Sequence, residues 1–236
     1  MTNLNLQEIM SSDLILQIII MIVPLLFAIT IHEVAHGYVA YRMGDNTAML
    51  AGRLTLNPIK HLDFFGSFLI PLILKLSGSP VIFGYAKPVP VNFANLRDFR
   101  SGTIAVSSAG VAANLLCALI SGALFQILLN LGLLSNSLFS KPLFLFLGFS
   151  VLINCVLAIF NLIPIPPLDG SRILAMFLPV HLRIQFMQIE RFGMIIIIFL
   201  LITNVLGKFL SFFMPMLMKI FMGTKALYIF FELWRS

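Results

Sequence analysis

Residues 14–41 form an apolar run long enough to cross a bilayer, and Glu33 is its only formal charge. Inside a membrane such a run finds no water for its backbone. It must therefore fold as a helix that pairs its own N–H and C=O groups. A charged side chain at the centre of a span costs about 2.5–3.5 kcal/mol on insertion scales. Yet this run carries His32-Glu33-Val34-Ala35-His36 near its end. Titratable residues in that setting point to function before packing.

The rest of the chain obeys the same constraint. Of 236 residues, 60% are hydrophobic and 10% charged, where a soluble domain has about 45–50% and about 25%. The mean hydropathy is +1.04. Further runs at about 104–134, 142–163 and 192–215 reach span length. The last stays apolar to about 222, interrupted by Lys208, and leaves open whether it crosses once or twice. The expected fold is an all-α polytopic membrane protein of about four transmembrane helices, one domain over residues 1–236. Residues 64–76 are apolar but short, and hold Gly66, Pro71 and Lys75. They predict a re-entrant or interfacial segment. Residues 50–57 and 81–91 are rich in Leu, Val, Thr and Phe and bounded by Gly and Pro. They predict a small β-like cytoplasmic loop, which Pro88 and Pro90 would confine to an edge.

Charge sets the orientation. Arg42, Arg53, Lys60, Lys75, Lys87, Arg97 and Arg100 fall within 42–102, and Arg172, Arg183 and Arg191 within 164–191. The positive-inside rule places both segments in the cytoplasm and the N-terminus outside, in a multi-pass protein of the cell membrane. The net charge of +6 is scattered and carries no nucleic-acid signature. Residues 1–13 hold no Lys or Arg, so the first run is not expected to be cleaved as a leader. Cys117 and Cys155 lie in apolar runs and read as small hydrophobes. With Arg42 at the boundary, a rise of 1.5 Å per residue sets His36 about 9 Å below the cytoplasmic face.

His32 and His36 are four residues apart, on one helical face. Two imidazoles so spaced chelate one Zn²⁺, and the intervening Glu33 reaches a metal-held water as general base without ligating the metal. A catalytic zinc takes three protein ligands and keeps one position open. The candidate third ligand is Asp169, in Asn161-Leu-Ile-Pro-Ile-Pro-Pro-Leu-Asp169-Gly170. Three successive spans bring it to the same membrane face as the histidines. Its other reading is an N-cap for residues 170–178. His61 and His181 read as structural or solvated. Asn154 reads as a helix-bridging amide. Asn114 and Asn161 remain open between that role and binding of substrate. A metal transporter or an inactive scaffold would also place such residues in spans. The transporter would not need Glu33, and the scaffold would not keep base and ligands intact.

Together these motifs resemble the site-2 protease family of intramembrane zinc metalloproteases. The resemblance runs from about Pro24 to about Leu178. HEVAHGYVAYRMGD carries the first motif. GRLTLNPIKHLD at 52–63, GYAKPVPVN at 84–92, SSAGVAANL at 107–115 and NLIPIPPLDG at 161–170 carry the others. The likeness implies a three-helix core holding one zinc below the cytoplasmic surface. It implies His32, His36 and Asp169 as ligands and Glu33 as base. It also implies a membrane-protein substrate whose transmembrane helix unwinds locally before it is cut. The compact bacterial type, without PDZ-like or CBS domains, is expected. Asp63-Phe64-Phe65-Gly66 lacks the proline usual after the aspartate, and Val111 replaces the proline usual after Ala-Gly. Both departures concern local geometry and spare the zinc residues.

Overall fold

The computed structural model describes residues 2–76, 84–134 and 140–235. The long apolar runs become long helices, as backbone pairing in lipid requires. Helix α1 spans Thr2–Arg42 and is followed by the single turn α2, Thr47–Leu50. A π-helical turn, Phe64–Leu69, leads into α3, Ile70–Leu76. Then come α4, Phe99–Asn130, and α5, Ser140–Leu162. The shorter helices α6, Asp169–Ala175, α7, Val180–Gln188, and α8, Glu190–Ile202, precede α9, Val205–Arg235. Among the described residues, four helices are long and apolar enough to cross a membrane: α1 from Ile15, α4, α5 and α9.

Helices α1, α4 and α5 pack against one another, and α9 lies against α4 and α5. The main core between α4, α5 and α9 holds Phe125, Phe144, Val151, Cys155, Met218 and Phe230. Outward faces stay apolar, with Ile15, Ile19, Leu119, Ile127 and Phe212 exposed. A bilayer explains such a surface; water would not tolerate it. Helix α4 starts on a side-chain cap, because Asp98 Oδ1 accepts from Ser101 N at 2.6 Å. It runs without a break through the buried Val111, so the departure there leaves the helix continuous. At the other departure, Asp63 Oδ1 accepts from Gly66 N at 2.7 Å and caps the π-helical turn.

Two expectations change. The run expected to cross at 192–215 is shared by two helices, α8 and α9. They part at Thr203 and Asn204, where Asn204 takes a φ of 56°. Helices α7 and α8 meet at a bend of 59°, and α9 is broken again at Gly223, φ 73°. The β-like loop does not form: there is no strand among the described residues. Residues 50–57 comprise the end of α2, a turn and irregular chain, and 81–83 lie outside the described residues. Over 84–92 the chain is irregular because its donors go to different partners. Tyr85 N reaches Gly66 O, Lys87 N reaches His61 O and Asn92 N reaches Asp45 Oδ2. Pro88 and Pro90 supply no donor at all. Among the described residues no neighbouring backbone pairs with it as a ladder.

Candidate active site

His32 and His36 lie on the inward face of α1, four-fifths of the way along it, with relative exposures of 7% and 9%. Their Nε2 atoms stand 3.0 Å apart. Asp169 comes from the far end of the chain. Helix α5 ends at Leu162, and the proline-rich turn that follows delivers Asp169 as the first residue of α6. Its Oδ2 lies 3.2 Å from His32 Nε2 and 3.2 Å from His36 Nε2. The N-cap of α6 is Leu168 and no side chain caps it, so the carboxylate of Asp169 is turned to the histidines and not to its own helix.

The far side of each ring fixes its near side. His32 Nδ1 donates to Asn114 Oδ1 at 2.7 Å, and His36 Nδ1 donates to Val106 O at 2.7 Å. With the protons held there, both Nε2 atoms present bare lone pairs. Asp169 Oδ2 is buried and has no hydrogen-bond partner. Three acceptors therefore converge on one point, and a cation placed between them would satisfy all three. Tetrahedral zinc with ligand distances of about 2.0–2.1 Å needs ligand atoms about 3.3 Å apart. The three edges here, 3.0, 3.2 and 3.2 Å, are close to that. Among the described residues this is the one group of His, Cys, Asp and Glu side chains so disposed.

Close helix packing makes the convergence possible. A Cβ on Gly110 of α4 would sit 2.5 Å from both His32 Cε1 and His36 Nε2. Only glycine lets α4 pass beneath the rings. A Cβ on Gly37 would sit 2.7 Å from Leu54 Cδ2 and from Val89 Cγ1. That bare patch admits the 84–92 segment against α1. Gly37 is one turn beyond Glu33 on the same face, and Val89 N donates to Glu33 Oε2 at 2.7 Å. Neither glycine's role is visible in the sequence. The small-residue character of 107–115 was the available signal for Gly110.

The remaining residues of interest fall into place. Asn114 is fully buried, and its Nδ2 donates to Ala28 O and to Asn154 Oδ1. Its amide thus holds His32 and joins α1, α4 and α5. Asn154 completes that bridge and bonds Ser150 O. Asn161 Nδ2 donates to Leu157 O of its own helix and makes no hydrogen bond to the histidine–aspartate cluster. His61 is buried and donates from Nε2 to Thr55 O at 2.8 Å, holding the loop beneath the 84–92 segment. His181 is exposed on α7. Asp45, fully buried, ties α1 to the same segment. It accepts from Thr47 N at 3.1 Å, Asn92 N at 2.7 Å and Asn95 Nδ2 at 2.9 Å.

The sequence profile of Peptidase family M50 matches residues 20–204, a stretch that contains every residue of this cluster. The chain is 41% identical over 183 residues to a Bacillus subtilis (strain 168) protein described as "Putative zinc metalloprotease YwhC", across 78% of this chain and 80% of that one. It is 30% identical over 190 residues to "Putative zinc metalloprotease Rip2" of Mycolicibacterium smegmatis, across 80% of this chain and 69% of that one. No solved structure matches the chain.

Proposed function

The chain belongs to peptidase family M50, the site-2 protease family, and on that premise we propose that His32, His36 and Asp169 hold one zinc ion while Glu33 is the general base of peptide hydrolysis. The protein is an intramembrane zinc metalloprotease. The observation that supports the residue assignment is the convergence of His32 Nε2, His36 Nε2 and Asp169 Oδ2, with the two histidine nitrogens 3.0 Å apart and each 3.2 Å from the carboxylate oxygen.

Zinc supplies, when bound, a Lewis acid and a water whose pKa falls to about 7. The protein's own groups do the rest. Asn114 and Val106 O keep the Nδ1 protons of His32 and His36 in place, so the Nε2 lone pairs stay directed at the metal. Val89 N–H holds Glu33 Oε2 and fixes the carboxylate's rotamer, leaving Oε1 to take a proton. As the water oxygen bonds to the peptide carbonyl carbon, one water proton passes to Glu33. As the C–N bond breaks, Glu33 returns that proton to the leaving amine. The substrate is a membrane protein with a transmembrane helix, unwound locally, because helical backbone groups are already paired. The site lies just inside the cytoplasmic face of the bilayer, and residues 1–236 act as a single domain.

The test uses protein purified in detergent, with zinc content measured beside cleavage of a membrane-spanning model peptide. The wild type is expected to hold one zinc and to cleave. Undiminished cleavage by Glu33→Gln rejects Glu33 as base, and full zinc occupancy in Asp169→Ala rejects Asp169 as ligand.

A further inference from the structure

A second built pocket lies at the end of the molecule where α4 begins. It is a half-open groove of about 490 Å³ between the first turns of α4, helix α6, helix α7 and the turn at Phe93, a volume within the small-ligand range of about 300–1,000 Å³. Phe93, Phe99, Met176, Ile184 and Met187 give it apolar walls. Two guanidinium groups face into it, Arg172 and Arg183. Each is laid on a phenylalanine of another element. Arg172 Cζ stands 5.0 Å from the Phe93 ring centroid and Arg183 Cζ 5.3 Å from that of Phe99. Such cation–π seats hold a guanidinium in place while leaving its edge free to bond.

The charges do not cancel. Arg172 pairs with Glu190 at 2.9 Å, while Arg183 has no carboxylate partner among the described residues. Arg100, on the same turn of α4, adds a third guanidinium nearby, 5.7 Å over Phe177. The pocket also lies where a candidate membrane span begins. Phe99 is the first residue of the α4 span. Helix α7 exposes Val180, Leu182 and Ile184 beside His181 and Gln185.

From this we infer that the pocket binds the headgroup and first acyl carbons of an anionic phospholipid, with Arg183 as the principal phosphate ligand and Arg172 as the second. A cationic pocket between membrane helices on the basic side of the protein is the setting in which anionic headgroups are held. A phosphate meets the unpaired Arg183, the apolar walls take the glycerol and acyl carbons, and the chains continue over the lipid-facing surface. A soluble phosphate would gain nothing from those walls, and a zwitterionic lipid brings a cation that the guanidiniums repel. Bound there, the lipid would join α4, α6 and α7, and α6 is the helix that begins at Asp169.

The full-length protein in a neutral detergent tests this directly. Phosphatidylglycerol, phosphatidylcholine and free glycerol phosphate are titrated separately, with melting temperature and native mass spectrometry as readouts. Phosphatidylglycerol should raise the melting temperature and remain bound, with the other two ineffective. Arg183→Gln should weaken it about tenfold or more. Ile184→Trp, which fills the pocket from an exposed position and keeps every charge, should do the same. Arg191→Gln, a surface arginine outside the pocket, should leave binding unchanged. Equal binding of phosphatidylcholine, equal potency of glycerol phosphate, or wild-type affinity in Arg183→Gln and Ile184→Trp would each overturn the assignment. So would an equal loss in Arg191→Gln.

Discussion

Glu33 Oε2 and Val89 N are 2.7 Å apart, in a hydrogen bond between residues 56 positions apart in the chain. It fastens the proposed base of α1 to the irregular 84–92 segment. A carboxylate held by one oxygen keeps one rotamer, and proton transfer depends on that rotamer. Val89→Pro removes the donor and keeps the chain extended, so kcat should fall about tenfold or more with zinc content unchanged. Val89→Ala keeps the N–H and should stay within a few-fold of wild type. Equal losses in the two variants would assign the effect to the side chain instead.

Glu33→Gln keeps the size and hydrogen-bonding length of the side chain but accepts no proton. Cleavage of a membrane-spanning peptide should fall by about 10²–10⁴-fold, the usual worth of a general base. Zinc measured by atomic absorption should stay at the wild-type level. Removing zinc with a chelator should abolish cleavage, and adding it back should restore it.

Asn114 acts on the site through His32. Asn114→Ala removes the acceptor that holds the Nδ1 proton and should weaken zinc binding by about 10–100-fold, as loss of an outer-shell partner typically does. Asn114→Asp supplies an acceptor and should recover part of that affinity. A zinc titration in which the alanine variant matched the wild type would show that Asn114 serves only to join the helices.

Gly110→Ala tests the close approach of α4 to the rings. The added Cβ would stand 2.5 Å from His36 Nε2, so α4 or the rings must move by several tenths of an ångström or more. A misplacement approaching 1 Å is expected to lower activity on the order of 10²-fold. The helix itself should persist, because alanine is the better helix former. Circular dichroism should therefore be unchanged while zinc content and cleavage fall.

Asp45 predicts an acid limit to stability. Burial pushes its carboxyl upward, but hydrogen bonds from Thr47, Asn95 and Asn92 outweigh that and hold it below its ordinary value of 3.8. A carboxylate depressed on folding contributes fully above its unfolded value, and the contribution is lost as pH falls through the folded one. The melting temperature of the wild type should thus drop as pH is lowered below 3.8. Asp45→Asn should melt lower at neutral pH and show a shallower acid decline. Parallel curves for the two proteins would show that Asp45 is not the group responsible.

Much of this was legible in the chain because lipid simplifies the rules. Runs of about 20 apolar residues admit one backbone solution, so α1, α4 and α5 follow from hydropathy alone. Periodicity put His32 and His36 on one face, and span parity brought Asp169 to them. Where the chain is short of span length the rules lose force. The 84–92 segment has the composition of a strand but no strand beside it among the described residues, and its donors go to Glu33, His61, Asp45 and Gly66 instead. The break at Asn204 was hidden because a single positive φ leaves no mark in an apolar run.

The sequence by itself determined α1, α4 and α5 and singled out the four residues proposed for zinc chemistry, since helical period and chain parity are local or countable properties. Tertiary structure alone decided how those residues are held. Asn114 became the partner of His32, Gly110 the gap beneath the rings and Val89 the restraint on Glu33, because contact between residues far apart in sequence depends on how closely packed helices approach, and no pattern within one segment records that distance.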